Sequence, residues 1–259
     1  MNRINEAFAD HKAFIPFITC GDPDLETTRK IVIAMVENGA DLIELGIPFS
    51  DPTAEGPVIQ EADNRALKGG VTTAEILAFA KELRNSISVP MVFMTYANVV
   101  FSYGAEKFLA AAKEAGISGI ILPDVPFEEK EEFAAICAEY DIALISMIAP
   151  TSKQRIRMIA KEAEGFIYVV SSLGVTGVRK EITTDIGALI DEVRSVTDIP
   201  CAVGFGISTP EQAAKMAAVS DGAIVGSAIV RMIAEHGRDS VQPVAAYVRA
   251  MSDAVHQLK

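Results

Sequence analysis

Short, almost uninterrupted apolar runs recur along the chain. They fall at Phe14–Cys20, Asp41–Phe49, Pro90–Tyr96, Ile117–Asp124, Ile142–Ala149, Gly165–Ser172, Pro200–Ile207 and Gly222–Ile229. Continuous runs, rather than alternating ones, are what strands buried on both faces of a parallel sheet look like. Between them the period changes to that of a helix. Thr28, Ile31, Val32, Met35 and Val36 share one face of a segment that follows Asp24 and ends at Asn38-Gly39, a C-cap signal. Pro126 precedes Glu128, Glu129, Glu131 and Glu132, acids suited to the positive end of a helix dipole, with Phe133, Ile136 and Tyr140 as the inner stripe. Ser208-Thr209-Pro210-Glu211 reads as a capping box.

Eight such strand–helix units in 259 residues, with no Pro/Ser-rich linker, predict one (β/α)₈ TIM barrel over residues 1–259. An open eight-stranded α/β sheet is the alternative. Two connections are long, Pro48–Val89 and Ser171–Val196, and both are candidate lids.

Composition narrows the chemistry. The formal net charge is −12 and no basic stripe is visible, which argues against a nucleic-acid partner. A phosphate ligand would have to be held largely by backbone N–H groups. The polar N-terminus, Met1 to Phe14, carries no signal-peptide run, and no stretch has the apolar length of a membrane span. A cytoplasmic location is therefore expected. The three cysteines, Cys20, Cys137 and Cys201, are odd in number and far apart, as buried thiols in a reducing compartment would be. Cys20 has no nearby His and reads as a small buried hydrophobe.

Barrel active sites lie at the C-terminal ends of the strands. No lysine lies within any of the eight runs, so a Schiff-base mechanism lacks its nucleophile. His11, His236 and His256 sit near the termini, away from those strand ends, and no metal is expected in the site. Carboxylates remain: Glu44, Asp51, Glu55 and Asp124, with Asp22 nearby. They point to proton transfer by positioned acids and bases. Glu44 stands inside an otherwise apolar strand, Leu42-Ile43-Glu44-Leu45, where desolvation would raise its pKa and let it donate a proton near neutrality. The alternative is a structural carboxyl paired with a buried cation or backbone amides. Gly206, Gly226 and Ser227, with Gly177 from the preceding loop, stand where a barrel builds a phosphate site from backbone N–H groups.

The segment Glu44-Leu45-Gly46-Ile47-Pro48-Phe49-Ser50-Asp51-Pro52-Thr53-Ala54-Glu55-Gly56-Pro57 resembles the signature of the tryptophan synthase alpha chain family. Phe17-Ile18-Thr19-Cys20-Gly21-Asp22-Pro23, Met94-Thr95-Tyr96-Ala97-Asn98, Pro123-Asp124-Val125-Pro126, Ser172-Leu173-Gly174-Val175-Thr176-Gly177, Gly204-Phe205-Gly206-Ile207 and Gly222-Ala223-Ile224-Val225-Gly226-Ser227 match the family in order. The resemblance spans the whole chain. It implies a lyase that cleaves indole-3-glycerol phosphate into indole and glyceraldehyde 3-phosphate. By the same resemblance Glu44 is the acid/base that protonates C3 of the indole, and Glu55 steadies the charge on the indole N–H. Phe17, Tyr96, Asp124 and Phe205 would line the indole pocket. Gly177, Gly206, Gly226 and Ser227 would hold the phosphate, and Asp51 would meet Thr176 when the lids close. Pro48 and Asn98 fall in regions the family uses against its beta chain, in an alpha2beta2 tetramer. Pyridoxal phosphate belongs to that beta chain; this chain is expected to carry no cofactor.

One position departs from the family pattern. Glu55 stands where the family has Asp, so the carboxylate is kept on an arm about 1.5 Å longer. A slower reaction is expected from that displacement. Two other readings follow: a catalytically weak phosphate-binding subunit that mainly activates the beta chain, and another phosphate-binding barrel enzyme of the same pathway. The latter would call for a differently placed acid/base pair.

Overall fold

The computed structural model describes residues 3–171, 185–204 and 206–258. Among the described residues there are nine parallel strands: β1 Ala13–Thr19, β2 Ile43–Gly46, β3 Met91–Met94, β4 Ile117–Ile121, β5 Ala143–Leu144, β6 Ser146–Ile148, β7 Ile167–Val170, β8 Cys201–Gly204 and β9 Gly222–Val225. The helices are α1 Leu25–Glu37, α2 Pro57–Lys68, α3 Thr73–Leu83, α4 Ala97–Tyr103, α5 Ala105–Glu114, α6 Glu131–Glu139, α7 Lys153–Lys161, α8 Ile186–Arg194, α9 Pro210–Val219, α10 Ser227–His236 and α11 Val241–His256.

The strands pair in the order β5-β4-β3-β2-β1-β9-β8-β7-β6. The two outermost strands are halves of one apolar run, separated by Ile145, whose N–H donates to Ile120 O at 2.9 Å. The first half pairs with β4 and the second with β7. One run thus serves both ends of the sheet and closes it. This settles the sequence alternative in favour of the barrel: an open sheet would leave two unrelated edges. The run predicted as a single fifth strand is correspondingly split.

Side chains alternate across the sheet. Ala13, Ile15 and Phe17, Leu42, Val92 and Met94, Tyr168, Ala202 and Ile224 form the barrel interior. Phe14 and Ile18, Ile43 and Leu45, Met91 and Phe93, Val169 and Val203 lie under the helices. Both sets are apolar because both faces are covered, and so the runs do not alternate in sequence. A 3-10 turn, Arg3–Phe8, sends Ile4 and Ala7 into the interior and stoppers it at the N-terminal end of the strands.

The caps decide the helix ends. Asp24 caps α1 by accepting from Thr27 N–H at 2.8 Å, and Asn38 closes it, as the sequence predicts. The box ahead of α9 closes with Gln212, not Glu211: Thr209 is the N-cap, so position N3 is Gln212. Ahead of α6 the chain first makes a 3-10 turn, Phe127–Glu129, and Glu128 pairs with Arg155 instead of joining the first helical turn. Most strands are shorter than their apolar runs, because the C-terminal parts of those runs become the βα loops that build the mouth.

Candidate active site

Glu44 is the third residue of an alternation that begins at Leu42, and so it faces the interior. Its register neighbours are Phe17 on β1 and Val92 on β3. The side chain is 1% exposed, and neither carboxyl oxygen has a hydrogen-bond partner among the described residues. An ionised carboxylate without a partner is too costly to hold there, so the group keeps its proton. Burial first, and the charge of Glu55 second, push its pKa up to about 8. The structural alternative required a buried cation or amide donors for Glu44; the described surroundings supply neither.

Glu55 comes from the loop between β2 and α2 and is 6% exposed. The Tyr96 hydroxyl donates to its Oε2, and the same hydroxyl accepts from Ala54 N–H at 2.9 Å. Tyr96 is itself buried and stacks on Phe49, ring centroids 5.0 Å apart. Burial, followed by the charge of Asp63, raises the Glu55 pKa to about 8. The two carboxyls differ in partners: Glu55 receives a donor that favours its ionised form, and Glu44 receives none among the described residues. A proton shared by the pair therefore resides on Glu44.

Asp63, on α2, was not singled out by sequence. It is buried, with Thr19 Oγ1 and Phe49 N–H each 3.5 Å from its carboxyl oxygens. Burial outweighs those contacts and lifts its pKa to about 7. The available signal was its place on the buried face of α2 beside Ala62 and Ala66. Asp22, named among the carboxylates, forms a bidentate pair with Arg65 at 2.9 and 2.8 Å and is structural.

Glu44 and Glu55 share a cleft with Phe17, Met94, Tyr168, Ile224, Gly206, Gly226 and Ser227. Two glycines make room for its aromatic walls. A Cβ at Gly46 would lie 2.6 Å from the Phe17 ring, and one at Gly204 would lie 2.5 Å from the Tyr168 hydroxyl. Tyr168, Met94 and Ile224 were missed by sequence as wall residues. Nothing but their inward phase distinguishes them from core. At the other end of the cleft α10 begins at Ser227, with Gly226 as its N-cap, and Gly206 adopts φ +81°. The first N–H groups of a helix have no intrahelical partner, so this end offers anion-binding donors with a favourable dipole.

The remaining sequence candidates lie elsewhere. Asp124 is exposed and accepts from Ala97 N–H at 3.1 and 3.2 Å, at the start of α4. It stands at the rim and is not among the residues lining the cleft. Asp51 is exposed and accepts from Ser50 Oγ at 2.5 Å. Pro48 is buried and Asn98 exposed. Thr176, Gly177 and Phe205 lie outside the described residues, as does half of the second long connection. Cys20, Cys137 and Cys201 are buried free thiols, and burial pushes all three up from the ordinary thiol range.

The family model for the tryptophan synthase alpha chain matches residues 5–257. A tryptophan synthase alpha chain of Lacticaseibacillus casei is 46% identical over 259 residues, covering 100% of this chain and 97% of that one. The crystal structure of tryptophan synthase subunit alpha from Legionella pneumophila superposes with a TM-score of 0.90 at 35% identity, covering 100% of both chains. A chain from the tryptophan synthase complex of Pyrococcus furiosus does so with a TM-score of 0.85 at 37% identity, covering 93% of this chain and 98% of that one. A closed parallel barrel with a buried, proton-holding Glu44 at its mouth, matched along its whole length by these relatives, belongs to the tryptophan synthase alpha chain family.

Proposed function

We infer that this chain is a carbon–carbon lyase that cleaves indole-3-glycerol phosphate to indole and glyceraldehyde 3-phosphate in tryptophan biosynthesis. The observation that carries the reaction is the buried Glu44, without a hydrogen-bond partner among the described residues, beside a tyrosine-bound Glu55. Glu44 delivers its proton to C3 of the indole ring. Positive charge then develops on the ring nitrogen, and the Glu55 carboxylate lies in the same cleft to stabilise it. The glycerol hydroxyl next to the ring loses its proton to the Glu44 carboxylate as the C–C bond breaks. The bond's electrons return to the ring, and the hydroxyl carbon becomes the aldehyde. Glu44 ends protonated, ready for another cycle.

Phe17, Met94, Tyr168 and Ile224 supply an apolar wall for the indole. Gly206, Gly226 and Ser227 receive the phosphate at the α10 N-terminus, with Gly177 from the loop before it. Tyr96 acts through Glu55, Phe205 continues the indole wall, and Asp124 orients the substrate from the rim. Asp51 and Thr176 meet when the loops close. The reaction needs proton transfer and an anion site only, and the chain is proposed to work without a cofactor of its own.

The chain is also proposed to dock a beta chain that carries pyridoxal phosphate, in an alpha2beta2 tetramer, and to work in the cytoplasm. A relative whose structure is described as a tryptophan synthase complex supports the partner. So does the surface beside the mouth, where Asn98 and a 49% exposed Phe101 project from α4. Buried thiols agree with a reducing compartment, and no described helix is long and apolar enough to cross a membrane. Indole release from indole-3-glycerol phosphate, assayed with and without a beta chain, tests the activity. Release that appears in neither assay would refute it.

A further inference from the structure

At the end of the barrel opposite the cleft, three segments remote in sequence converge on one carboxylate. His11 precedes β1, Asp41 precedes β2, and His256 is the last residue of α11. His256 Nε2 lies 2.8 Å from Asp41 Oδ2, and His11 Nε2 lies 3.7 Å from Asp41 Oδ1. The two imidazole rings stack with centroids 4.0 Å apart, tilted by 34°. One nitrogen or oxygen from each residue lies within 4.8 Å of those from the other two. The Asp41 carboxylate is fixed in place because its Oδ2 also accepts from Phe14 N–H at 2.7 Å.

The contacts of His11 specify its chemistry. Its Nδ1 is 3.2 Å from the Lys12 carbonyl oxygen, which can only accept. The Nδ1 therefore carries the hydrogen, and in the neutral ring Nε2 turns a lone pair toward Asp41 Oδ1. Two acceptors facing each other call for a positive charge between them. A backbone carbonyl on the far ring nitrogen is also the contact that orients metal-binding imidazoles. Two imidazoles and one carboxylate suit zinc and its first-row neighbours, whereas calcium and magnesium prefer all-oxygen sites. Metal–ligand bonds of about 2.1 Å in a tetrahedron put ligand atoms about 3.4 Å apart. The two observed spacings to Asp41, 2.8 and 3.7 Å, fall on either side of that value. The side chains of His11, Asp41 and His256 are 36%, 14% and 25% exposed, so an ion can enter and a water can complete its coordination.

We propose that His11, Asp41 and His256 form a binding site for one zinc-class divalent cation, which staples the two ends of the chain to the base of the barrel. The site is independent of the catalytic reading, since it lies at the opposite end of the strands from the acid pair. A cation bound to the folded state alone stabilises it by mass action. The competing occupant is a proton, with His256 and a protonated His11 both donating to Asp41.

The test uses tag-free protein stripped with a chelator and titrated with zinc chloride, followed by calorimetry, and with cobalt(II), followed by its visible absorption. One equivalent should bind. Excess zinc should raise the melting temperature by roughly 5 °C. His11→Gln and His256→Gln should each weaken zinc binding by about 100-fold or more and abolish the thermal shift, with indole release unchanged. Asp41→Asn disturbs the Phe14 contact as well, so the two histidine variants carry the decision. Failure of the parent to take up zinc, or uptake equally tight in both histidine variants, would overturn the site and leave the proton-linked clasp. Neither result would bear on the lyase reaction.

Discussion

The Tyr96 hydroxyl bridges two adjacent residues of the loop between β2 and α2: it donates to the Glu55 carboxylate and accepts from the N–H of Ala54, the preceding residue. The longer arm of glutamate is thereby given a fixed end. The sequence alone suggested that the extra methylene displaces the charge; the structure shows where the extra reach goes.

Tyr96→Phe removes that donor and leaves the ring stacked on Phe49. A hydrogen bond to a charged group contributes about 1.5–3 kcal/mol, so kcat for indole release should fall on the order of 10- to 100-fold with little change in KM. Glu55→Asp should also lower kcat, because the shorter arm leaves Tyr96. If Glu55→Asp is faster than the parent, the tyrosine holds Glu55 away from the substrate, and the reading as a weakly catalytic subunit gains.

Glu44→Gln keeps the shape and removes the proton, so turnover should drop below a few per cent of the parent. Its effect on stability should depend on pH. The ordinary value of 4.5 rises to about 8 in the folded chain, so between those values only the folded state keeps the proton. Stability from this group is complete below pH 4.5 and is lost as pH rises through about 8. The variant should melt with the parent at low pH and roughly 2 °C or more above it at pH 8. A constant offset across that range would show that Glu44 is ionised in the fold. Parental kcat should likewise decline above pH about 8.

Ser227→Asp separates phosphate binding from folding by the sign of its two effects. An acid in the first turn of α10 stabilises the helix by about 0.3–1 kcal/mol, while it repels a phosphate at the same donors. KM should rise about 10-fold or more with an unchanged or higher melting temperature. Gly206→Val would be a poorer probe, because Gly206 has φ +81° and a branched side chain strains the backbone there. An unaltered KM in Ser227→Asp would place the phosphate elsewhere.

Asp63→Asn keeps the side chain's size and removes a charge that raises the Glu55 pKa. Glu55 should then ionise at lower pH, and the acidic limb of the kcat profile should move down. Superimposable profiles for parent and variant would exclude Asp63 from the electrostatics of the pair.

The barrel was legible in sequence because each apolar run is buried on two faces and each helix on one, and burial writes itself into residue type locally. Glu44 was legible for the same reason: a carboxyl inside Leu42-Ile43-Glu44-Leu45 contradicts its surroundings. Glycines at the ends of β8 and β9 pointed to the anion end of the cleft, since close backbone approach excludes side chains. Other features depended on tertiary structure. Closure rests on Ile145, where one run changes partners from β4 to β7, a choice made by long-range pairing. Asp63 and Tyr168 became site residues only when α2 and β7 were placed around Glu44, and Asp124 moved to the rim. His11 and His256 looked like scattered terminal residues until α11 packed against α1 and carried one to the other. Local burial constrains residue type position by position; a proton-sharing pair or a ligand set depends on distances between segments that the chain order leaves free.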